Sequence, residues 1–410
     1  MILLLALALI ETATHAGNPL PGNPTLRSNV LPHDRTPNYK CDTLIRGNPP
    51  SFLSEIPTDH PERRRKHVDQ LRVMSWNING IVFFPGKESD PRHPNRTSYQ
   101  KNRFQIESQV RTIQSQNPDI VLVQGVEIAN MLVSMNRLSF EDGQKYFPLV
   151  FAGNDPFSHL GVLIARDLPY QVEIETHRGD RWTDFSRVTQ REVERGNTGP
   201  EVPLFTRDLP IITFYERNLD NPQEKGRPVL VVGNAHLKGE NPSEQNDLAR
   251  SGSKELRRAE VERTKVIFHE KDVAFGGRVP VVIGGVFGHA LDDSDANDFS
   301  ILNGSGLVDV LDGLEDRTTS CFFGPPGSSG DSSGDFDDME IGTHSTDSIL
   351  LSRSHRGRVM KAFVAPFVDS NGLALPRLPR TRTSFNRLYP SSHFPIVVDV
   401  RVPANPTPTE

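Results

Sequence analysis

The chain has 410 residues, a formal net charge of -6 and 35% apolar side chains, with 31 Gly and 33 Pro. That length holds one large domain or two ordinary ones, and the composition excludes a coiled coil and a wholly disordered chain, pointing to compact elements joined by long loops. The charge excludes bulk attraction to nucleic acid or anionic membrane, and the local basic stretch Arg63-Arg64-Arg65-Lys66 reads first as a solvated face.

In chain order, Ile2 to Ile10 is an apolar run followed by Glu11, Thr12 and the small-residue stretch Thr14-His15-Ala16, the layout of a signal peptide over residues 1–16 and hence of a secreted or periplasmic protein. The run is too short to cross a bilayer and no transmembrane segment is expected. No Lys or Arg precedes it, so a buried N-terminal strand or helix is the competing reading. Residues 17–70, rich in Pro, Asn, Arg and Ser, read as a leader to a domain over 71–402, with 403–410 as a tail. In an exported chain the two cysteines, Cys41 and Cys321, are permitted to pair; two buried thiols fit the sequence equally well.

Short apolar runs bounded by turn residues predict strands at Leu71 to Trp76, Ile120 to Val123, Leu160 to Ala165, Ile211 to Tyr215, Val229 to Val232, Val281 to Ile283, Ser348 to Ser352 and Ile396 to Val402. Polar stretches with helical spacing fall between them at Ser98 to Gln116, Glu127 to Leu138 and Asn246 to Lys271. Such alternation predicts a layered α/β architecture, with enough strands for two packed sheets. Gly324 to Asp338 reads as a loop, solvated before calcium-binding, and the charged, poorly patterned insert from Arg178 to Glu201 as a solvated excursion before a specificity element.

Several polar groups sit at predicted strand ends, where layered sheets expose their sites. Ser75-Trp76-Asn77-Ile78-Asn79-Gly80 closes the first core strand. Asn234-Ala235-His236-Leu237-Lys238 follows another, and Ser391-Ser392-His393-Phe394-Pro395 precedes the last. Asp347 stands in Thr346-Asp347-Ser348-Ile349-Leu350-Leu351-Ser352. Histidine suits proton transfer near neutral pH, although a lone histidine is more often structural.

Together with Pro118-Asp119-Ile120-Val121-Leu122-Val123-Gln124, Gly153-Asn154-Asp155 and Phe205-Thr206-Arg207-Asp208, these blocks resemble the endonuclease/exonuclease/phosphatase superfamily, the DNase I-like proteins, and look nearest to secreted bacterial members. The resemblance spans about residues 71 to 402 and implies a four-layered α/β sandwich, two packed mixed β-sheets flanked by helices. It implies a Mg²⁺-dependent (or Mn²⁺- or Ca²⁺-dependent) phosphodiester hydrolase acting on nucleic acid, a lipid headgroup or a sugar phosphate, and identifies no obligate partner. It further implies His393, Asp347 and His236 as catalytic positions, Asn77, Asn79 and Asn234 as phosphate contacts, and Asn77 at the metal-site edge. Four positions depart from the family pattern. Gly125 stands where a metal-holding Glu belongs, Val286 where an Asp orients the attacking water, Gly288 where an Asn holds phosphate, and Ser392 where an Asp precedes the final His. An impaired or inactive protein is therefore expected, the alternative being an active enzyme with ligands relocated to Glu127, His289, Asp292 or Asp293.

Overall fold

In the computed structural model the described residues are 44–45, 68–78, 103–126, 132, 135–136, 145–154, 159–184, 195, 199–218, 221, 224–237, 247–287, 301–302, 306–315, 317–323, 341–344, 346–379, 384, 388 and 389–403. The expected signal segment, Cys41, Asn79, Glu127, Gly288, His289, Asp292 and Asp293 lie outside them, as does most of Glu127 to Leu138.

Apolar residues on both faces make the central strands, because a strand covered on each side reads as a continuous apolar run. The strands are β1 (Leu44–Ile45), β2 (Gln70–Asn77), β3 (Ile120–Val126), β4 (Tyr146–Phe151), β5 (His159–Ala165), β6 (Tyr170–Glu175), β7 (Arg181–Thr183), β8 (Glu201–Pro203) and β9 (Ile211–Arg217). They continue with β10 (Lys225–His236), β11 (Val281–Val286), β12 (Leu307–Asp309), β13 (Ser320–Phe323), β14 (Ile341–His344), β15 (Asp347–Ser352), β16 (Val359–Val364) and β17 (Ile396–Arg401).

One sheet runs β1-β4-β5-β3-β2-β17-β16 and the other β12-β15-β11-β10-β9-β6, with β7-β8 and β13-β14 as separate ribbons. Both sheets are mixed: β2 pairs parallel with β3, and β10 parallel with β11, among otherwise mainly antiparallel neighbours. β10, β11 and β15 pack face to face on β2, β3, β5 and β17.

Helix α1 (Arg103–Gln116) seals the first sheet with Val110 and Ile113. It ends where Asn117 turns left-handed at φ 46, returning its N–H to Ile113, and Pro118 forbids continuation. Helix α2 (Asp247–Ala274) covers the second sheet through Val261, Ile267 and Phe268, so close that a Cβ on Gly233 would stand 2.3 Å from the Phe268 ring. Helix, sheet, sheet and helix make the four expected layers. Among the described residues no helix is long and apolar enough to cross a membrane.

Candidate functional site

The sheet pairings bring the C-terminal ends of β2, β3, β10 and β11 to the same edge of the sandwich as the start of β15 and the residues before β17. Parallel pairing of β10 with β11 sets His236 opposite Val286, and antiparallel pairing of β11 with β15 sets Val286 opposite Asp347. His236, Val286 and Asp347 thus form a row across the edge of the second sheet.

His393 reaches that row from the first sheet. Its Nδ1 lies 2.7 Å from Asp347 Oδ2, where Thr346 Oγ1 also donates at 3.0 Å. The His393 backbone is held by two bonds: Trp76 Nε1 donates to its carbonyl at 2.8 Å and its N–H donates to Ser391 Oγ at 3.1 Å, which in turn donates to the Asn77 carbonyl at 2.7 Å. The Asp347 side chain is 5% exposed and that of His393 18%. With Nδ1 engaged by the carboxylate, the imidazole has Nε2 for exchange with a ligand or water, the arrangement by which a carboxylate orients a general acid or base.

His236 has a different environment. Its Nδ1 is buried and has no hydrogen-bond partner among the described residues. Burial, then the charges of Arg207 and His393, push its pKa well below the usual imidazole range, so it is neutral at physiological pH. Arg207 Nη1 also donates to the His236 carbonyl at 3.5 Å. The sequence reading used Arg207 only as part of a block; its place against His236 follows from the turn leading into β9, which no periodicity marks.

Asp208 in that turn is buried and left-handed at φ 68, and its Oδ1 accepts from the backbone N–H groups of His177 at 2.8 Å and Leu209 at 2.7 Å. Desolvation raises its pKa from 3.8 to about 6 despite those donors. A carboxyl whose folded pKa is raised contributes stability fully present below about 3.8 and lost as pH rises through about 6. The difference is of order 3 kcal/mol. Asp208→Asn keeps an acceptor and tolerates the left-handed backbone, so melting temperatures measured from pH 4 to pH 7.5 are expected to lose this slope, with the variant gaining most on the neutral side.

Asn234, expected at a phosphate, is occupied between the sheets. Its Nδ2 donates to the carbonyls of Val123 at 3.1 Å and Gly161 at 2.9 Å, and its Oδ1 accepts from Gln124 Nε2 at 2.7 Å. Both donor hydrogens and the carbonyl are used in tying β10 to β3 and β5, so Asn234 acts here as a strut between the two sheets.

Where the resemblance places a metal-holding Glu, Gly125 has φ 73 at an irregular step in the β3 to β5 register between Val123 and Val126. This is a bulge built on a left-handed glycine. Val286, where the resemblance expects a water-orienting Asp, is buried. Among the described residues no three His, Cys, Asp or Glu side chains group to hold a metal ion. A hard cation takes several oxygen ligands, and the one carboxylate in the row, Asp347, is engaged by His393. The other carboxylates considered for a cation, Glu127, Asp292 and Asp293, lie outside the described residues.

Two mixed sheets packed face to face between helices, with polar strand ends collected at one edge, make a layered α/β sandwich. The chain is similar to an endonuclease/exonuclease/phosphatase family protein from Bacteroides thetaiotaomicron (14% identity, TM-score 0.44, 82% of this chain and 99% of that one). It is likewise similar to truncated Caenorhabditis elegans TDP2 (15%, 0.44, 81% and 97%) and to the human Nocturnin catalytic domain with bound sulfate anion (17%, 0.44, 84% and 99%). This likeness concerns the chain path alone. No family model and no curated protein matches the sequence.

Proposed function

We propose that this chain is an exported, catalytically impaired phosphodiester hydrolase of the endonuclease/exonuclease/phosphatase superfamily, which holds a phosphate-bearing ligand in its cleft and turns it over poorly or not at all. The observation that carries the reading is the row His236, Val286, Asp347. An isopropyl group stands between two polar side chains, at the position the resemblance assigns to a water-orienting carboxylate. Valine neither accepts a hydrogen bond from water nor ligates a cation.

The surviving groups suit binding. His393, oriented by Asp347, presents Nε2 to a phosphate oxygen, and neutral His236 offers an N–H donor beside Arg207. Asn77 lies at the same edge, while Asn234 ties the two sheets together. In active superfamily members a divalent ion polarises the phosphate, and Asn77 and Glu127 are what the resemblance leaves toward one here. The competing reading, an active hydrolase with relocated ligands, draws support from the intact 2.7 Å Asp347 to His393 pair.

The test is hydrolysis of plasmid DNA and bis(4-nitrophenyl) phosphate by residues 17–410 with Mg²⁺, Mn²⁺ or Ca²⁺, beside calorimetric binding of a non-hydrolysable dinucleotide phosphorothioate. No turnover above the His393→Ala control is expected, with binding weakened about tenfold in that variant, roughly 1.4 kcal/mol. Metal-dependent turnover that vanishes on His393→Ala would overturn the impaired reading in favour of relocated ligands.

A further inference from the structure

Asp347 and His393 come from different sheets, and the start of β13 braces them against each other. Thr319 Oγ1 accepts from the Asp347 N–H at 3.2 Å, and the Thr319 carbonyl accepts from the Phe394 N–H at 2.7 Å. The next residue, Ser320, forms an antiparallel bridge with His393. Both Thr319 and Ser320 are buried. Thr346, which precedes Asp347, is held through its own backbone, since its carbonyl accepts from the Phe287 N–H at 3.0 Å.

The hydroxyl groups in this brace have a direction. A hydroxyl has one proton to donate and two lone pairs with which to accept, whereas a carboxylate only accepts. Thr346 Oγ1 lies 3.0 Å from Asp347 Oδ2, so its proton goes to the carboxylate. Ser320 Oγ lies 3.2 Å from Thr346 Oγ1, and with the threonine proton committed the serine is the donor. The bonds run from Ser320 to Thr346 to Asp347 Oδ2, where His393 Nδ1 arrives from the other sheet at 2.7 Å.

Two donors on one oxygen restrain the rotation of the carboxyl group, which is otherwise a broad torsion in an aspartate. That rotation decides where the carboxylate lone pairs point. The lone pairs in turn decide how the imidazole lies and where its Nε2 faces. Valine has nearly the volume of threonine and lacks the hydroxyl, so packing alone gives no reason for this donor beside Asp347.

We propose that Thr346 is a positioning residue of this site: its hydroxyl orients Asp347 and, through Asp347, sets the direction in which His393 presents Nε2 to a phosphate oxygen. The phosphate rests on the phosphodiester-binding reading of the cleft. The orientation of the imidazole does not.

Two measurements on the full chain test this. In proton NMR, the Nδ1–H of an imidazole held by a carboxylate gives a low-field signal, assigned here by its disappearance in His393→Ala. Thr346→Val and Thr346→Ala are expected to lose that signal at a nearly unchanged melting temperature, and Thr346→Ser to keep it. In calorimetry with the non-hydrolysable dinucleotide phosphorothioate, Thr346→Val is expected to bind roughly fivefold more weakly, the worth of one hydrogen bond. Thr346→Ser is expected to bind as the unmodified protein does. Thr346→Val combined with His393→Ala is expected to bind no more weakly than His393→Ala alone, because a residue that acts through the imidazole has no effect without it. The proposal is overturned if the unmodified protein shows no signal that His393→Ala removes, if Thr346→Val keeps the signal, or if the two binding losses add. A signal lost in Thr346→Val while no form binds the phosphorothioate supports this inference and sinks the reading of the cleft. Binding by the unmodified protein, with a signal that Thr346→Val leaves undisturbed, sinks this inference alone.

Discussion

A variant carrying Gly125→Glu, Val286→Asp, Gly288→Asn and Ser392→Asp together is expected to hydrolyse bis(4-nitrophenyl) phosphate with Mg²⁺ at least ~10²-fold faster than the unmodified protein, since each activating group missing from a hydrolytic centre typically costs about that factor and the losses act as a unit. Val286→Asp is central: the register sets residue 286 between His236 and Asp347, so the new carboxylate enters a row that the oriented imidazole of His393 already reaches. Gly125→Glu works against the backbone. At φ 73 a side chain costs roughly 1–2 kcal/mol, so the quadruple variant is expected to melt below the parent, and a form retaining Gly125 separates strain from chemistry. If the folded quadruple variant stays silent with all three metals, replacement of these four positions is not what separates this chain from an active hydrolase.

Gly285→Ala is expected to destabilise the fold by about 4 kcal/mol or more, enough to abolish folding in many domains. A Cβ there would lie 1.9 Å from the Ala235 carbonyl oxygen and 2.7 Å from its carbon, on a backbone at φ 155. Both obstructing atoms are main chain and have no rotamer to yield. Ala235 is the register partner of Gly285, so relief requires parting β10 from β11 directly beneath His236 and Val286. Urea denaturation beside Gly357→Ala, where nothing lies within 4 Å of the added methyl, provides the check. An unchanged midpoint for Gly285→Ala would mean that this edge of the sheet yields easily and does not pin the row.

The central strands were legible because burial on both faces writes itself as unbroken apolar runs: Ile120–Val126 and Val281–Val286 are buried throughout. Tyr146–Phe151 and Tyr170–Glu175 were missed, one opening on a ring pair interrupted by Pro148 and the other mixing Gln and Glu with apolar residues. In β17 an inward Asp399 is tolerated because Arg72 on β2 meets it with a two-pronged bond at 2.7 and 2.8 Å, a pairing invisible along the chain.

By itself the sequence determined the layered architecture and which residue types stand at the strand ends, since both are properties of local pattern. Only the tertiary structure decided what those residues do to one another. Asp347 and His393, 46 positions apart, meet because β15 and β17 belong to facing sheets. Asn234 is used between the sheets, Arg207 comes to rest against His236, and Gly125 adopts a backbone a larger residue would resist. Hydrogen bonding and desolvation act over a few ångströms, and sequence distance carries no record of which strands the packing of two sheets will bring within that range.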